Sequence, residues 1–296
     1  MNTEKNSERI RKTIYNITKL PTLPVITAQL MQLLSNPNAS IQKLTNLISQ
    51  DQSLTTTVLK VVNSSYYGFP RQIATIKHAL IILGFNEIRN IVITISVLKN
   101  FWNIQKSSKF DHLQFWKHSL GCAVAAGMLA KFFRYRVSGK VFIGGLIHDI
   151  GKIVLDQYLH DLFEQVMDRV ISRDISFYQA EKEVLGVTHA EIGGWLAKSW
   201  NLPLEIEEAI KFHHLPEKAT ANPPFCSIVH LADVLVRMKS IGSAGDNKIP
   251  PIDPSIWEPL RSMRADLNGS HIEYFTGLLE EEVSRARPLF EILGNW

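Results

Sequence analysis

Between Ser40 and Val62 the apolar residues Ile41, Leu44, Leu47, Ile48, Leu54, Val58, Val61 and Val62 recur mostly at steps of three and four. That spacing lays one apolar stripe along an α-helix, and the same rhythm dominates the chain. Asn36-Pro37 marks the preceding break, and Ser40 is the expected N-cap. One stretch, "NIVITISVL" (Asn90 to Leu98), is β-branched and alternates like a strand. A helix is favoured there because no partner strand is evident elsewhere.

Further helices are expected along the chain. "FWKHSLGCAVAAGMLAKF" (Phe115 to Phe132) mixes large residues with Gly121, Ala123, Ala125, Ala126 and Gly127, as in a central helix closely approached by neighbours. Val141 to Tyr158 follows, then a helix from about Ser176 to Leu185. Thr188 and Glu191 fit a capping box that opens the next helix. "NLPLEIEEAIKFHH" supplies another, with Pro203 near its first turn. After it comes the helix "CSIVHLADVLVRM". "NSSYYGFP" (Asn63 to Pro70) reads as a loop, and "SIGSAGDNKIPPIDPS" as a linker. The remaining residues, to Trp296, read as amphipathic helices packing on the body.

A length of 296 residues allows one large domain or two modest ones. A net charge of +4, from 32 basic and 28 acidic residues, is too small and scattered to indicate a nucleic-acid partner. The first twenty residues, "MNTEKNSERIRKTIYNITKL", lack the apolar core of a signal peptide and read as a solvated helical lead-in. The most hydrophobic tract, "HALIILGFNEIRNIVITISVL", is interrupted by Asn86, Glu87, Arg89 and Asn90, which is incompatible with a bilayer span. Cys122 and Cys226 stand alone in apolar surroundings, so two core thiols in a reduced, cytoplasmic compartment are expected.

The histidines and aspartates carry the chemistry. His118 lies inside the small-residue helix, and His148-Asp149 ends the apolar "VFIGGLI". His189 falls at the first position of its helix, His213-His214 close another, and Asp233 interrupts "IVHLADVLV". Imidazole and carboxylate donors together suit iron, manganese, nickel or zinc, and without a thiolate nearby the softer choices recede. Adjacent residues on a helix point about 100° apart. A His-Asp pair therefore serves one centre from a cleft rim, or two neighbouring ions with the carboxylate between them, as in two-metal phosphoester hydrolysis. His230, three residues before Asp233, is a candidate for orienting it. His78, His112, His160 and His271 are read as ordinary core or surface groups.

The segments "LPTLPVITAQLMQLLSNPNASIQKLTNLISQDQSLTTTVLKVVNSSYYGFP" and "IATIKHALIILGFNEIRNIVI" resemble the front half of HDOD domains. "FWKHSL", "GLIHDIGK", "EVLGVTHAEIGGWLAKSWNLP", "AIKFHH" and "VHLADVL" extend the likeness from roughly Leu20 to Met238. HDOD domains are all-α signalling modules related to the HD superfamily of metal-dependent phosphohydrolases. The resemblance implies an all-α fold, with an N-terminal helical subdomain (1–105) packed on an HD-like metal-site bundle (106–240). A linker and C-terminal helices (241–296) follow. It implies that Asn90 to Leu98 is helical. It also implies that His118, His148, Asp149, His189, His213, His214 and Asp233 stand where HD-GYP phosphodiesterases hold metals, with two ions and iron first. Asp149 and Lys152 would be the catalytic pair, Lys152 matching a lysine that contacts substrate phosphate. Two departures stand out. "LPEKATANPPF" replaces the signature with glycine and tyrosine, and Gln114 stands where those enzymes can present a glutamate.

Three functions follow in order of expectation. The first is a stand-alone regulatory module binding a signalling protein or a nucleotide, with neither DNA nor membrane as partner. The second is an active phosphohydrolase or phosphodiesterase acting on a nucleotide or cyclic dinucleotide. The third is a structural adaptor whose polar residues form a metal-free hydrogen-bonded network. The aromatics Tyr66, Tyr67 and Phe69 are expected to plug a gap between subdomains, with a partner surface as the alternative.

Overall fold

The computed structural model describes residues 41–64, 67–102, 107–135, 138–267 and 271–294, with isolated positions 10, 12 and 29. Apart from positions 10 and 12, the N-terminal lead-in lies outside these residues, as do the Ser40 cap and Tyr66. Every regular element among the described residues is a helix. The chain divides into two compact units, one holding residues 104–282 and the other 21–103 with 283–296. The segment grouped in the sequence as 241–296 is therefore shared between them.

In the second unit, the periodic run ending at Val62 is not one helix. It forms α1 (Ile41–Ser49) and α2 (Gln52–Val62). The break falls at Asp51, whose carboxylate caps α2 by accepting the Leu54 N–H at 2.9 Å. Next come α3 (Ile76–Leu83) and α4 (Phe85–Phe101). The strand-like stretch lies within α4, where every residue from Ile91 to Leu98 is buried. A helix buried all round needs no polar face, so its pattern imitates a strand. Buried Arg89 donates to Asn86 Oδ1 at 2.8 Å and to Asn90 Oδ1 at 3.0 Å, which accounts for the polar interruptions. Tyr67 donates to Glu87 Oε1 at 2.9 Å, inside the same unit.

The other unit begins with α5 (His112–Phe132), capped by Asp111 and buried along most of its length. The expected helix from Val141 to Tyr158 is two helices, α6 (Ser138–Ile147) and α7 (Ile150–Tyr158), broken at His148-Asp149. Asp149 sits at φ −97°, ψ 8°, in the bridge region where chains commonly redirect functional side chains. The amphipathic α8 (His160–Arg173) goes unread in the sequence. After it stand α9 (Phe177–Val184), α10 (His189–Ser199), α11 (Leu204–Phe212) and α12 (Pro223–Met238). The Thr188–Glu191 capping box is present at the start of α10.

Glycines set the closest approaches. A Cβ on Gly145 would lie 2.6 Å from the Cys122 carbonyl oxygen, so α6 presses directly on α5. One on Gly151 would lie 2.0 Å from the His189 carbonyl oxygen, so α7 meets α10 backbone to backbone. Only a residue without a side chain fits either position.

Residues 241–254 are more than a linker. Gly242 (φ +71°) rests on α5, where a Cβ would meet Gln114 O and His118 N at 2.3 Å, and Ser243 N–H donates to Gln114 O at 3.0 Å. The segment is fastened across the bundle by Lys152, Arg237 and His230, described below. Beyond it are α13 (Trp257–Met263), α14 (His271–Arg285) and α15 (Arg287–Leu293), the last packing on α2 and α4 within its own unit. Two histidines first read as ordinary share one buried carboxylate. His112 Nε2 and His160 Nδ1 meet Asp156 at 2.9 and 3.0 Å, and Asp156 also accepts from Ser107 N–H.

Candidate metal centre

His118, His148, Asp149, His189, His213, His214 and Asp233 are drawn together from α5, the α6–α7 break, α10, the end of α11 and α12. Two donor groups form. His118, Cys122, His148 and Asp233 make one; Asp149, His189, His213 and His214 make the other, each group having ligand atoms within 4.8 Å of one another. All of these side chains are buried except His214, which is partly exposed.

Asp149 spans the two groups. Its Oδ1 lies 2.9 Å from His189 Nε2 and 3.5 Å from His213 Nε2. Its Oδ2 lies 3.5 Å from His148 Nε2 and 3.9 Å from His118 Nε2. Asp233 Oδ1 stands 3.1 Å from His118 Nε2. A carboxylate with one oxygen toward each group is the arrangement expected of a bridging ligand, and the helix break makes it possible.

Main-chain and carboxylate partners aim the rings. His148 Nδ1–H donates to Gly145 O at 2.8 Å, and His213 Nδ1–H to Ile210 O at 2.7 Å. His189 Nδ1–H donates to Glu181 Oε2 at 2.6 Å. In each ring the proton sits on Nδ1, leaving the Nε2 lone pair directed inward. His148 Nε2, His213 Nε2 and Asp149 Oδ1 are buried with no hydrogen-bond partner. Acceptors left bare in an interior are costly. A cation at each group would satisfy all three, His148 in one and His213 with Asp149 in the other, so the residues fit a divalent metal at each.

For three of the rings the charge state agrees with that fit. Burial drives His148 down to about 3, with Asp149 only partly opposing it. Burial also lowers His118 against the pull of Asp233, and holds His214 well below its usual range, with His213 and His189 adding to the effect. These rings are neutral, as ligands must be. Burial opposes charging of His189 as well, yet the Glu181 and Asp149 carboxylates raise it overall. Burial resists ionisation of Asp149 and Asp233, but Lys152 beside the one and Arg237 beside the other keep both well below the usual carboxylate range.

The supporting shell differs from expectation. Lys152 is fully buried, donating to Asp149 Oδ2 at 2.6 Å and to Ala244 O at 2.9 Å. His230 does not orient Asp233. Its Nδ1–H donates to His213 O at 2.7 Å, and its Nε2 accepts the Asp253 N–H at 3.0 Å. Arg237 takes the role instead, donating to Asp233 Oδ1 at 2.9 Å and to Asp246 Oδ1 at 3.1 Å. Gln114 contributes a main-chain carbonyl to the 241–254 segment.

Three residues escape the sequence reading. Glu181 is fully buried and holds His189, and its place with Phe177 and Ala180 on the inner face of α9 was a usable signal. Arg237 lies one turn after Asp233. Cys122 overturns the expectation that no sulfur is near: its Sγ lies 3.5 Å from His118 Nε2, one turn along α5.

A cavity of about 480 Å³ opens beside the centre. It is lined by Lys152, His189, His214, His230 and Arg237, together with residues 174–176, 178–179, 246 and 248–254. Among the first donor group, none lines it.

A helical bundle that gathers histidine and aspartate donors around paired positions defines an HD-type module. The HDOD domain profile matches residues 20–216, and the chain belongs to that family. Asp233, Arg237 and the 241–254 segment lie beyond the matched range. Curated relatives include an uncharacterized protein of Treponema pallidum (strain Nichols), 28% identical over 75% of this chain and 43% of that protein. Another is the uncharacterized protein YuxH of Bacillus subtilis (strain 168), 29% identical over 49% of this chain and 34% of that protein. The chain thus spans less than half the length of these relatives. Among solved structures, an HDOD domain protein of unknown function from Geobacter sulfurreducens aligns with a TM-score of 0.83 at 26% identity, over 98% of each chain. A candidate phosphohydrolase from Shewanella amazonensis SB2B shares the fold, with a TM-score of 0.69 at 22% identity over 95% of this chain and 97% of that one. No helix among the described residues is long and apolar enough to cross a membrane.

Proposed function

We propose that this chain is a regulatory HDOD module with an occupied two-ion centre, and that the adjoining cleft receives a nucleotide or another phosphorylated ligand. One observation carries the reading. Only the Asp149, His189, His213 and His214 group lines the cleft, through His189 and His214, whereas no member of the other group does. Two-metal hydrolysis requires both ions to flank the reacting phosphorus. A ligand resting in this cleft meets one position and recognises it without being cleaved.

Bound divalent ions would supply Lewis-acid charge to a phosphate oxygen. The protein's own residues account for the rest. Tyr178 and Gln179 line one wall, and Lys152 remains fixed by Asp149 and Ala244. The second reading, a phosphodiesterase, is favoured by Lys152, which borders the cleft and contacts the bridging carboxylate.

The test is metal analysis of purified protein, followed by calorimetry and product analysis with nucleotides and cyclic dinucleotides. The expected result is two ions per chain and saturable, metal-dependent binding without product. Turnover that Asp149→Ala abolishes would replace this reading with the hydrolase.

A further inference from the structure

The two donor groups differ in chemistry as well as in access. His118 and Cys122 are four residues apart on α5 and so share a face. Gly145 presses on the Cys122 carbonyl, drawing α6 against that face and carrying the unpartnered His148 Nε2 inward. Asp233, held by Arg237, completes the set from α12. The ligand atoms of His118, Cys122, His148 and Asp233 all lie within 4.8 Å of one another and all four residues are buried. Two nitrogens, one sulfur and one oxygen supply four donors, the number a structural zinc ion takes, before the bridging carboxylate is counted.

We infer that Cys122 is a metal ligand, and that the inner position is a closed, thiolate-containing site for a borderline-soft ion such as zinc. The outer position, with three histidines and Asp149, remains open to exchange through the cleft. This rests on the proposal that the centre is occupied. Closed four-donor sets with sulfur are characteristic of structural zinc, whereas imidazole and carboxylate sets suit harder ions and leave room for exchange. On binding, the Cys122 S–H bond is exchanged for a sulfur–metal bond and the proton passes to solvent. No electron transfer is involved. Cys226, also buried, belongs to neither donor group and provides an internal control.

The experiment titrates the metal-free protein with cobalt(II) and records absorbance. The expected result is a sulfur-to-cobalt charge-transfer band in the near ultraviolet that saturates at one equivalent while a second equivalent binds without adding to it. Cys122→Ser should abolish the band and Cys226→Ser should leave it intact. His214→Ala should weaken the second equivalent and keep the band. X-ray absorption of the wild-type zinc protein, which needs no variant, should show sulfur at about 2.3 Å around one ion of each pair. Two equivalents bound without any sulfur signature, or a band that survives in Cys122→Ser, would overturn the assignment alone. Failure to bind any ion would overturn the occupied centre along with it.

Discussion

Glu181 grips His189 at two points, its Oε1 accepting the main-chain N–H at 2.8 Å and its Oε2 the ring Nδ1–H at 2.6 Å. The first bond fixes where α10 begins; the second fixes which ring nitrogen faces inward. One side chain thus sets both the position and the tautomer of a donor.

Glu181→Gln should therefore weaken metal binding more than folding. An amide reproduces the shape but weakens the charge-assisted bond. Loss of such a supporting partner typically costs about 10–100-fold in metal affinity. Competition against a chromophoric chelator gives the affinity and circular dichroism gives the fold. Unchanged affinity would remove Glu181 from the centre.

Asp149→Ala should lose metal and also stability, because it strands the buried ammonium of Lys152. Breaking a buried ion pair on one side costs about 3–5 kcal/mol. Adding Lys152→Met should recover much of that loss in urea unfolding while metal remains absent. If the single variant is as stable as wild type, the pair is not the anchor its 2.6 Å separation indicates.

In metal-free protein, stability should fall as the pH drops below about 6.5. The His148 ring, held down to about 3, stays neutral when folded, whereas the unfolded chain binds the proton. Unfolding is then favoured throughout that interval. His118 and His214 act in the same direction. His189, shifted upward, acts in the opposite one: its contribution is present at low pH and lost as the pH rises through its folded value. Asp149 and Asp233 extend the acid loss below their ordinary value of 3.8. Thermal melts of chelator-treated protein between pH 7 and 4 provide the check, and a level melting temperature would refute the burial argument.

Gly151→Ala should disrupt the bundle, since its methyl would sit 2.0 Å from the His189 carbonyl oxygen. Overpacking costs about 1–3 kcal/mol, and more when backbone must move. The shift displaces His189 too, so metal affinity should fall alongside the melting temperature. Gly277→Ala, on α14 with open space around it, serves as the control.

How much of this was legible in the sequence varies with the kind of signal. The Thr188–Glu191 box is local chemistry and reads directly. The histidines and aspartates read less directly: His148-Asp149 closes the apolar "VFIGGLI", and it is the joint pattern with the other donors, more than any one of them, that points to a shared site. The helix breaks at Asp51 and at His148-Asp149 were not readable, since apolar spacing continues through them and only the cap or the bridge-region backbone reveals the turn. The segment 241–254 has a linker's composition, yet its backbone groups receive Lys152, meet His230 and lie on α5. Composition records what a stretch is made of, whereas its role here depends on distant partners. Cys122 was passed over because a small thiol among alanines looks like core until His118, one turn back, supplies the other half.

The 241–254 segment also orders events in time. Asp233 is the last donor in the chain, and the residues that cover Lys152 and brace Arg237 come after it. A nascent chain leaving the ribosome with its N-terminal part first therefore completes the donor set before it makes the cover. On the proposed occupancy, ion loading during synthesis would meet an open basin, whereas a mature protein stripped of an inner ion would have to unfasten part of its own later-made portion before refilling.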